Sequence, residues 1–373
     1  MEKELEDLLS IECGKYLFEL MDVIKDSPRF PKLDNEHKRL SQEILILLKS
    51  KQMKVIWFAY LLSKEAKKHN EPYIVRGTLP DLYLLYVLEI TKFNPIGTDC
   101  CYQACLGTYD KPKESLIFDI SFRKEFVKHM REYASTMDET SDIYHYSYRI
   151  HEKDNYSISS MIFVPKTIDI NKYFVIREVD NVGFYPILGE KIRDSFNCGV
   201  RINILGSSSL SILYEMQKKH GDVSFYDAFE DYKLVANERD FSSSFFIQLL
   251  NKYPIDCLDD AYKVEGMSHS TYKDYDNALL DFGDRETVFY YFHNYLKRDE
   301  SLSYDLMECT RKGRFISKEW EDIPKTLGNV LENILYLFSR GHVVETTYYR
   351  ILLAHYYKLD KNMYLKLVNL YNK

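Results

Sequence analysis

The 373-residue chain lacks any apolar run long enough to cross a bilayer, which takes about 20 consecutive apolar residues. Its first residues, MEKELEDLLS, are charged and do not have the apolar centre of a signal peptide. These features predict a cytoplasmic protein with no membrane partner.

Glycine and proline are scarce, with 14 and 10 residues, and no segment is repetitive or of low complexity. This composition excludes a linker-rich or disordered chain and favours a helix-rich globular protein. Hydrophobic residues make up 45% of the sequence, so we expect a large core and two or three subdomains.

An excess of positive charge is also lacking, because the formal net charge is −7. Nucleic-acid binding therefore cannot be argued from overall charge and would need a local basic patch. The seven cysteines are odd in number and dispersed, which is typical of unpaired thiols in a reducing cytoplasm.

The apolar spacing predicts an α+β fold, in which a small mixed sheet with flanking helices is followed by an all-helical region. The predicted strands span residues 73–75, 116–122, 144–150, 161–164, 173–176, 183–187 and 200–205. The predicted helices span residues 1–25, 37–70 (one helix or two), 79–90, 123–137, 207–220, 241–251, 258–264, 275–282, 285–297, 302–312, 317–339, 343–358 and 361–371. The pattern changes near Gly206, which divides the chain into a helical segment (1–50), an α+β domain (51–206) and a helical domain (207–373).

The stretch LIFDISFRKEF (116–126) contains the polar residues with the clearest chemical meaning. Asp119 and Ser121 are two residues apart on a predicted strand, so their side chains share one face. A second apolar run, GVRINILG (199–206), is expected to lie beside it in the sheet and adds Asn203. A two-metal site wants three carboxylates, whereas these positions supply one carboxylate, one hydroxyl and one amide.

Three segments follow one another in an order that has a counterpart in a known family: IVRGTLPDLYLLYVLEITKFNPI (74–96), IFDISF (117–122) and RINILGSSSLSIL (201–213). They resemble, in order, the SRGS-like turn with its following E-I-T-x-x-N-P-L sequence, the P-D-I-D-L motif and the L-K-x-D-I-L-G stretch. These motifs form the palm of bacterial C-family replicative DNA polymerases, the DNA polymerase III alpha subunits of the PolC type. SISSMIFVP (157–165) lies where that family has H-P-G-G-I-x-V-x-P.

The second half resembles the fingers domain of the same family. The similar segments are VEGMSHST (264–271), ECTRKGR (308–314) and LYLFSRGHVVETTYYRILLAHYYK (335–358). The resemblance therefore runs from about residue 55 to the C-terminus. It implies a nucleotidyltransferase-like palm at 51–206, without a thumb, and a fingers-like region at 207–373.

Carried over position by position, the resemblance implies roles for ten residues. Asp119 matches the first catalytic aspartate, while Ser121 and Asn203 stand where the family has the other two. The nucleotide- or phosphate-binding positions that it implies are Arg76, Gly77, Thr78, Arg311, Lys312, Arg314 and His342.

The departures from the family concern its metal site and its glycine turns. The H-P-G-G turn is replaced by Ser157-Ile158-Ser159-Ser160, and no second cysteine pair follows Cys100, Cys101 and Cys105 to complete a zinc module. Phosphoryl transfer uses two Mg²⁺ ions roughly 3.5–4 Å apart, and Mg²⁺ prefers anionic oxygens. One carboxylate cannot balance their charge.

We therefore predict a catalytically inactive homologue that needs no cofactor and binds a protein partner, or DNA through the fingers-like region. Two alternatives stay open. One is an active DNA-directed DNA polymerase or nucleotidyltransferase that uses Asp119 in an atypical Mg²⁺ site. The other is a structural scaffold within a larger assembly.

Each candidate residue also has a purely structural interpretation. Asp119 would be a strand aspartate bonded to backbone or to an arginine such as Arg123, and Cys101 and Cys105 would be buried thiols. The basic segment around Lys312 would be a solvated helix end, and His342 a packed core histidine. The C-terminal tyrosines would form core and partner surface.

Overall fold

The computed structural model describes residues 11–113, 115–145, 160–167, 169, 171, 175–179, 183–187, 199–320 and 323–372. Within them the chain is mixed α+β, which confirms the predicted class. It divides into two compact units. The first comprises Met1–Arg76, Val87–Ile90 and Pro112–Ser207, and the second comprises Gly77–Tyr86, Thr91–Lys111 and Ser208–Lys373.

The helices and strands of the described residues are numbered in chain order. The helices are α1 (Ile11–Asp26), α2 (Asp34–Lys49), α3 (Met53–Lys68), α4 (Tyr83–Val87), α5 (Tyr102–Leu106), α6 (Val127–Ala134), α7 (Ser208–His220), α8 (Phe225–Val235), α9 (Ser244–Lys252), α10 (Leu258–His269), α11 (Arg285–Tyr290), α12 (Glu300–Arg311), α13 (Lys325–Glu332), α14 (Arg340–Leu359) and α15 (Lys361–Tyr371). The strands are β1 (Tyr73–Arg76), β2 (Ile117–Arg123), β3 (Ser141–His145), β4 (Ser160–Pro165), β5 (Val175–Val179), β6 (Gly183–Ile187), β7 (Val200–Ser207), β8 (Thr271–Tyr272) and β9 (Ile334–Tyr336).

The first unit is built on a five-stranded sheet with the order β1-β2-β7-β4-β3. The central pair β2 and β7 is parallel, and the other neighbours are antiparallel. In both central strands apolar residues alternate with polar ones, so each strand presents one apolar and one polar face. β5 and β6 form a separate antiparallel pair.

Helices cover one face of this sheet. Phe118 and Ile120 of β2 alternate with polar residues, so they point to the same side as Ile202 and Ile204 of β7. The contacts that α3 makes with β2 and β7, and that α6 makes with β7, fall on this apolar side, where the rings of Phe58 and Phe163 meet edge to face at 4.8 Å. The opposite face therefore carries the polar residues.

The two-helix version of the 37–70 prediction is correct. Lys51 takes a left-handed backbone conformation with φ of 57°, which ends α2 before α3 begins at Met53. Helix α3 buries an apolar stripe in the core of the unit.

In the second unit α14 is the central helix and packs on α7, α8 and α10. Its tyrosines Tyr349, Tyr356 and Tyr357 are buried, so these three belong to the core rather than to an exposed surface. In the described ranges no helix has the length and apolarity that a membrane span requires.

The predicted helix over 79–90 is wrong as a single element. Pro80 lies in a short 3₁₀ turn, Leu79–Asp81, and Leu82 is extended, so α4 begins only at Tyr83. The break lies at Leu82, whose extended backbone separates the 3₁₀ turn from α4, and the chain leaves the helix again before Glu89, whose φ is 56°. The apolar side chains are buried as expected, although the helix is short.

The prediction that the region after Gly206 is entirely helical is also wrong. β8 and β9 pair antiparallel with an irregular register, and β9 interrupts the predicted helix over 317–339. Strands of two and three residues are too short to show a period of two in the sequence. Residues 275–282 form only the 3₁₀ turn Leu280–Phe282, whereas α5 and α8 were not predicted.

Several predictions lie outside the described residues, either wholly or in part. These are the start of the first helix (1–10), residues 146–150 of the strand at 144–150, residues 173–174 of the strand at 173–176, residues 321–322 of the helix at 317–339, the turn residues Ser157, Ile158 and Ser159, and Cys198.

Candidate functional site

A row of polar residues crosses four strands of the first unit. Arg76 of β1 is paired with Asp119 of β2, Asp119 with Asn203 of β7, and Asn203 with Ser160 of β4. Residues directly opposite each other in neighbouring strands share one face of a sheet. We call these four residues the polar row. The structure thus brings together Asp119 and Asn203, as the sequence predicted.

Hydrogen bonding already occupies the single carboxylate of the polar row. The Asn203 side-chain amide donates from Nδ2 to Oδ1 of Asp119. Burial raises the pKa of Asp119, although the hydrogen bond from Asn203 and the charges of Arg76 and Arg201 act in the opposite direction. Because the two guanidinium groups outnumber the one carboxylate, this part of the sheet carries a positive formal charge.

Ser121 shares the face of Asp119 but takes no part in the row's hydrogen bonds. It is almost fully buried, with an exposed fraction of 1%, and its strand neighbour on β7 is Leu205. Among the described residues its hydroxyl has no hydrogen-bond partner. A neutral buried hydroxyl adds no charge that could hold a metal ion.

The polar row does not fit the Mg²⁺ pair that the polymerase resemblance implies. Mg²⁺ needs hard anionic oxygens that can turn toward it. Asp119 offers one carboxylate, which accepts from Asn203 and lies in the field of Arg76 and Arg201. Of the described groups that act on Asp119, two are guanidinium groups, which would repel a divalent cation bound at its carboxylate.

Arg123, which was considered as the partner of Asp119, instead binds Glu71. Its Nε donates to Oε2 of Glu71 at 2.7 Å, and a second guanidinium nitrogen binds the other oxygen. Glu125 lies 3.9 Å from the same guanidinium, so it also belongs to this ion pair. The side chain that hydrogen-bonds Asp119 is therefore that of Asn203, and the predicted partner Arg123 is wrong.

The predicted phosphate-binding turn and the predicted histidine meet in the second unit. The backbone N–H of Gly77 donates to Nδ1 of His342 at 3.0 Å, and the Thr78 hydroxyl lies 3.5 Å from Sγ of Cys105. His342 is 3% exposed, and its ring meets that of Phe338 edge to face. The Gly77 amide is thus bonded within the protein rather than presented to a phosphate.

The basic segment at the end of α12 is partly neutralised by one acid. Arg311 binds Glu308 with Nε and a second guanidinium nitrogen, the latter at 2.8 Å, and Nζ of Lys312 lies 3.0 Å from the same carboxylate. Arg314 is exposed. Arg311, Lys312 and Arg314 together with Glu308 carry a formal charge of +2.

The cysteine cluster does not form a metal centre in the part of the chain that the structure describes. Cys100, Cys101 and Cys105 are buried and form no disulfide within the described residues, and burial raises the pKa of Cys100 well above its usual value. Within the same ranges the ligand group with metal-binding spacing is Glu65, His69 and His129, in the first unit. The spacing of four residues between Glu65 and His69 could have signalled it on a predicted helix.

The second unit contains a buried ion network, which we define as Asp81, Asp284, Arg285, Glu286 and Arg340. Arg340 binds Asp284 at 2.9 Å, and its backbone N–H donates to Glu286 at 2.7 Å. Asp81 accepts from the Gly341 N–H at 2.9 Å. The pKa of Asp81 is raised well above its usual value. Burial is the largest cause, and the negative charge of Glu286 is the next.

No known protein-family model matches this chain, and no curated protein is significantly similar to it in sequence.

Proposed function

We propose that this protein is a catalytically inactive homologue of the PolC-type DNA polymerase III alpha subunit that acts by binding. The observation that carries the proposal is the state of the polar row. Its one carboxylate is hydrogen-bonded by Asn203 and lies near two guanidinium groups. The order of the palm and fingers motifs in the sequence supports the polymerase relationship, and the first unit would be the palm.

Between a protein partner and DNA, charge favours a protein. The chain carries a net charge of −7, and Glu308 neutralises part of the basic segment that would meet DNA. The described cysteines form no disulfide with one another, which supports the cytoplasmic localisation that is part of this proposal. We expect no Mg²⁺ requirement for binding.

Primer extension tests the proposal directly. Purified protein is incubated with a primed template, all four deoxynucleotides and either Mg²⁺ or Mn²⁺, beside an Asp119→Asn variant prepared in parallel. We expect wild type and variant to give the same background, because Asp119 holds no metal ion. Extension by the wild type that the variant loses would establish the alternative, an active polymerase with an atypical metal site.

A further inference from the structure

Three metal-ligating side chains converge in the first unit, on the side of the sheet that α3 and α6 cover. Glu65 lies in the last turn of α3, His69 caps the same helix, and His129 lies in the first turn of α6. Oε1 of Glu65 is 3.0 Å from Nε2 of His69 and 3.0 Å from Nε2 of His129. All three ligand atoms lie within 4.8 Å of one another.

We propose that Glu65, His69 and His129 form a binding site for Zn²⁺ that bridges α3 and α6. Two imidazoles and one carboxylate are a donor set that suits Zn²⁺ and other late first-row ions better than Mg²⁺ or Ca²⁺. The site is separate from the polar row and does not depend on the proposed function.

The geometry needs only small adjustments to accept the ion. Metal–ligand distances of 2.0–2.2 Å in a tetrahedron place the ligand atoms roughly 3.3–3.6 Å apart. The two separations of 3.0 Å would therefore open by a few tenths of an ångström, and the His69–His129 separation would close from at most 4.8 Å. The histidine side chains are 39% and 41% exposed, so both can rotate.

Each side chain can present a ligand atom to the ion. Oε1 of Glu65 is the oxygen that Nε2 of both histidines faces. Coordination through Nε2 requires each imidazole to carry its proton on Nδ1, which leaves the Nε2 lone pair for the ion.

The surroundings orient the rings and leave one coordination position to solvent. Phe126 stacks on His129 with ring centroids 4.7 Å apart and also contacts His69 at 5.5 Å. Lys68 lies 3.5 Å from the other Glu65 oxygen, Oε2, and its side chain is 70% exposed, so it can move away. Three protein ligands and a partly exposed position leave room for a water as the fourth ligand.

Calorimetric titration of tag-free protein with Zn²⁺ tests the site. We expect one ion per chain, with affinity at least tenfold weaker in His69→Gln and in His129→Gln. The matched control is His37→Gln, an exposed histidine of α2, which should bind as wild type does. Absence of zinc binding by the wild type, or affinity unchanged in both variants, would overturn the proposal.

Co²⁺ provides a second readout that does not depend on variants. We expect the strong visible bands of a four-coordinate Co²⁺ site with nitrogen and oxygen ligands, and an upward shift of the melting temperature on zinc addition. A thiolate charge-transfer band would assign the ion to a cysteine such as the exposed Cys257 and would contradict the proposal. Saturation by Mg²⁺ should leave the Co²⁺ spectrum unchanged.

Discussion

The polar row of the first unit and the ion network of the second unit bury charge in different ways. In the network, three carboxylates meet two guanidinium groups, and Arg340 alone binds Asp284, Asp259 and the carbonyl oxygen of Thr98. In the polar row, one carboxylate accepts a hydrogen bond from an amide and is influenced by the positive charges of two arginines. The network therefore pairs carboxylates with guanidinium groups directly, whereas the row holds one carboxylate that is hydrogen-bonded by an amide.

This comparison predicts that stability depends strongly on the network and weakly on the row. The two tryptophans allow the units to be followed separately, because Trp57 belongs to the first unit and Trp320 to the second. Urea unfolding followed by fluorescence in a Trp57→Phe background reports on the second unit, and a Trp320→Phe background reports on the first.

The largest expected effect is that of Arg340→Met. The change leaves Asp284 buried without its ion-pair partner, which we expect to lower the free energy of unfolding of the second unit by about 3–5 kcal/mol. The matched control is Arg239→Met, because Arg239 is exposed and should change stability by less than about 0.5 kcal/mol. If both variants lower the free energy of unfolding by similarly small amounts, stability does not depend strongly on the network.

Gly341→Ala tests how closely the network is packed. A Cβ atom at this position would lie 2.5 Å from Oδ1 of Asp81 and 2.7 Å from its backbone nitrogen. Because backbone cannot move aside easily, we expect a loss of about 1–3 kcal/mol in the same unfolding measurement. Gly97→Ala is the control, since a Cβ atom added there would lie 3.7 Å from its nearest neighbour, which is an ordinary van der Waals contact. An equal loss of stability in this variant would show that the packing around Asp81 is not unusually close.

Asp119→Asn should change the stability of the first unit by no more than about 1 kcal/mol at neutral pH. The folded-state pKa of Asp119 is raised, so its contribution to stability is fully present at acid pH and is lost as pH rises through that pKa. The variant cannot lose this contribution. Its stability relative to wild type should therefore improve from about pH 4 upward, measured by urea unfolding at several pH values. A strong destabilisation at neutral pH would show that the charge of Asp119 is needed in the fold.

The smallest expected effect concerns the basic segment. Changing Arg311, Lys312 and Arg314 together to Glu should alter DNA affinity less than tenfold, because Glu308 already neutralises part of their charge. The charge-matched control changes three lysines of the last two helices, Lys358, Lys361 and Lys366, to Glu. Fluorescence anisotropy at several salt concentrations measures both. DNA would be the binding target if the first variant alone lost affinity a hundredfold. The slope of log affinity against log salt concentration should then fall by the equivalent of about three phosphate contacts.

The sequence predicted the central strands and their polar residues because their signal is local. In β2 and β7 apolar residues recur at every second position. This local pattern places Asp119 and Ser121 on one face without any tertiary information. The hydrogen bond from Asn203 and the proximity of Arg76 depend on register between strands that are far apart in sequence, which no local pattern contains.

The network and the histidine pair were missed for the same reason. Asp81 and Arg285 are far apart in the sequence, and no local pattern indicates that both are buried. His129 gains meaning only when α6 packs beside the end of α3. The short pair β8 and β9 likewise depends on tertiary contacts rather than on propensity.

Manganese binding tests the central claim most directly. Mn²⁺ is titrated, with and without a deoxynucleoside triphosphate, and free ion is counted by electron paramagnetic resonance. Two variants are compared. Both carry His69→Gln and His129→Gln, which removes the site proposed between α3 and α6, and only one of them also carries Asp119→Asn. We expect identical titrations for the two variants. One or two additional ions bound by the protein that retains Asp119 would show that the polar row still holds a catalytic metal site.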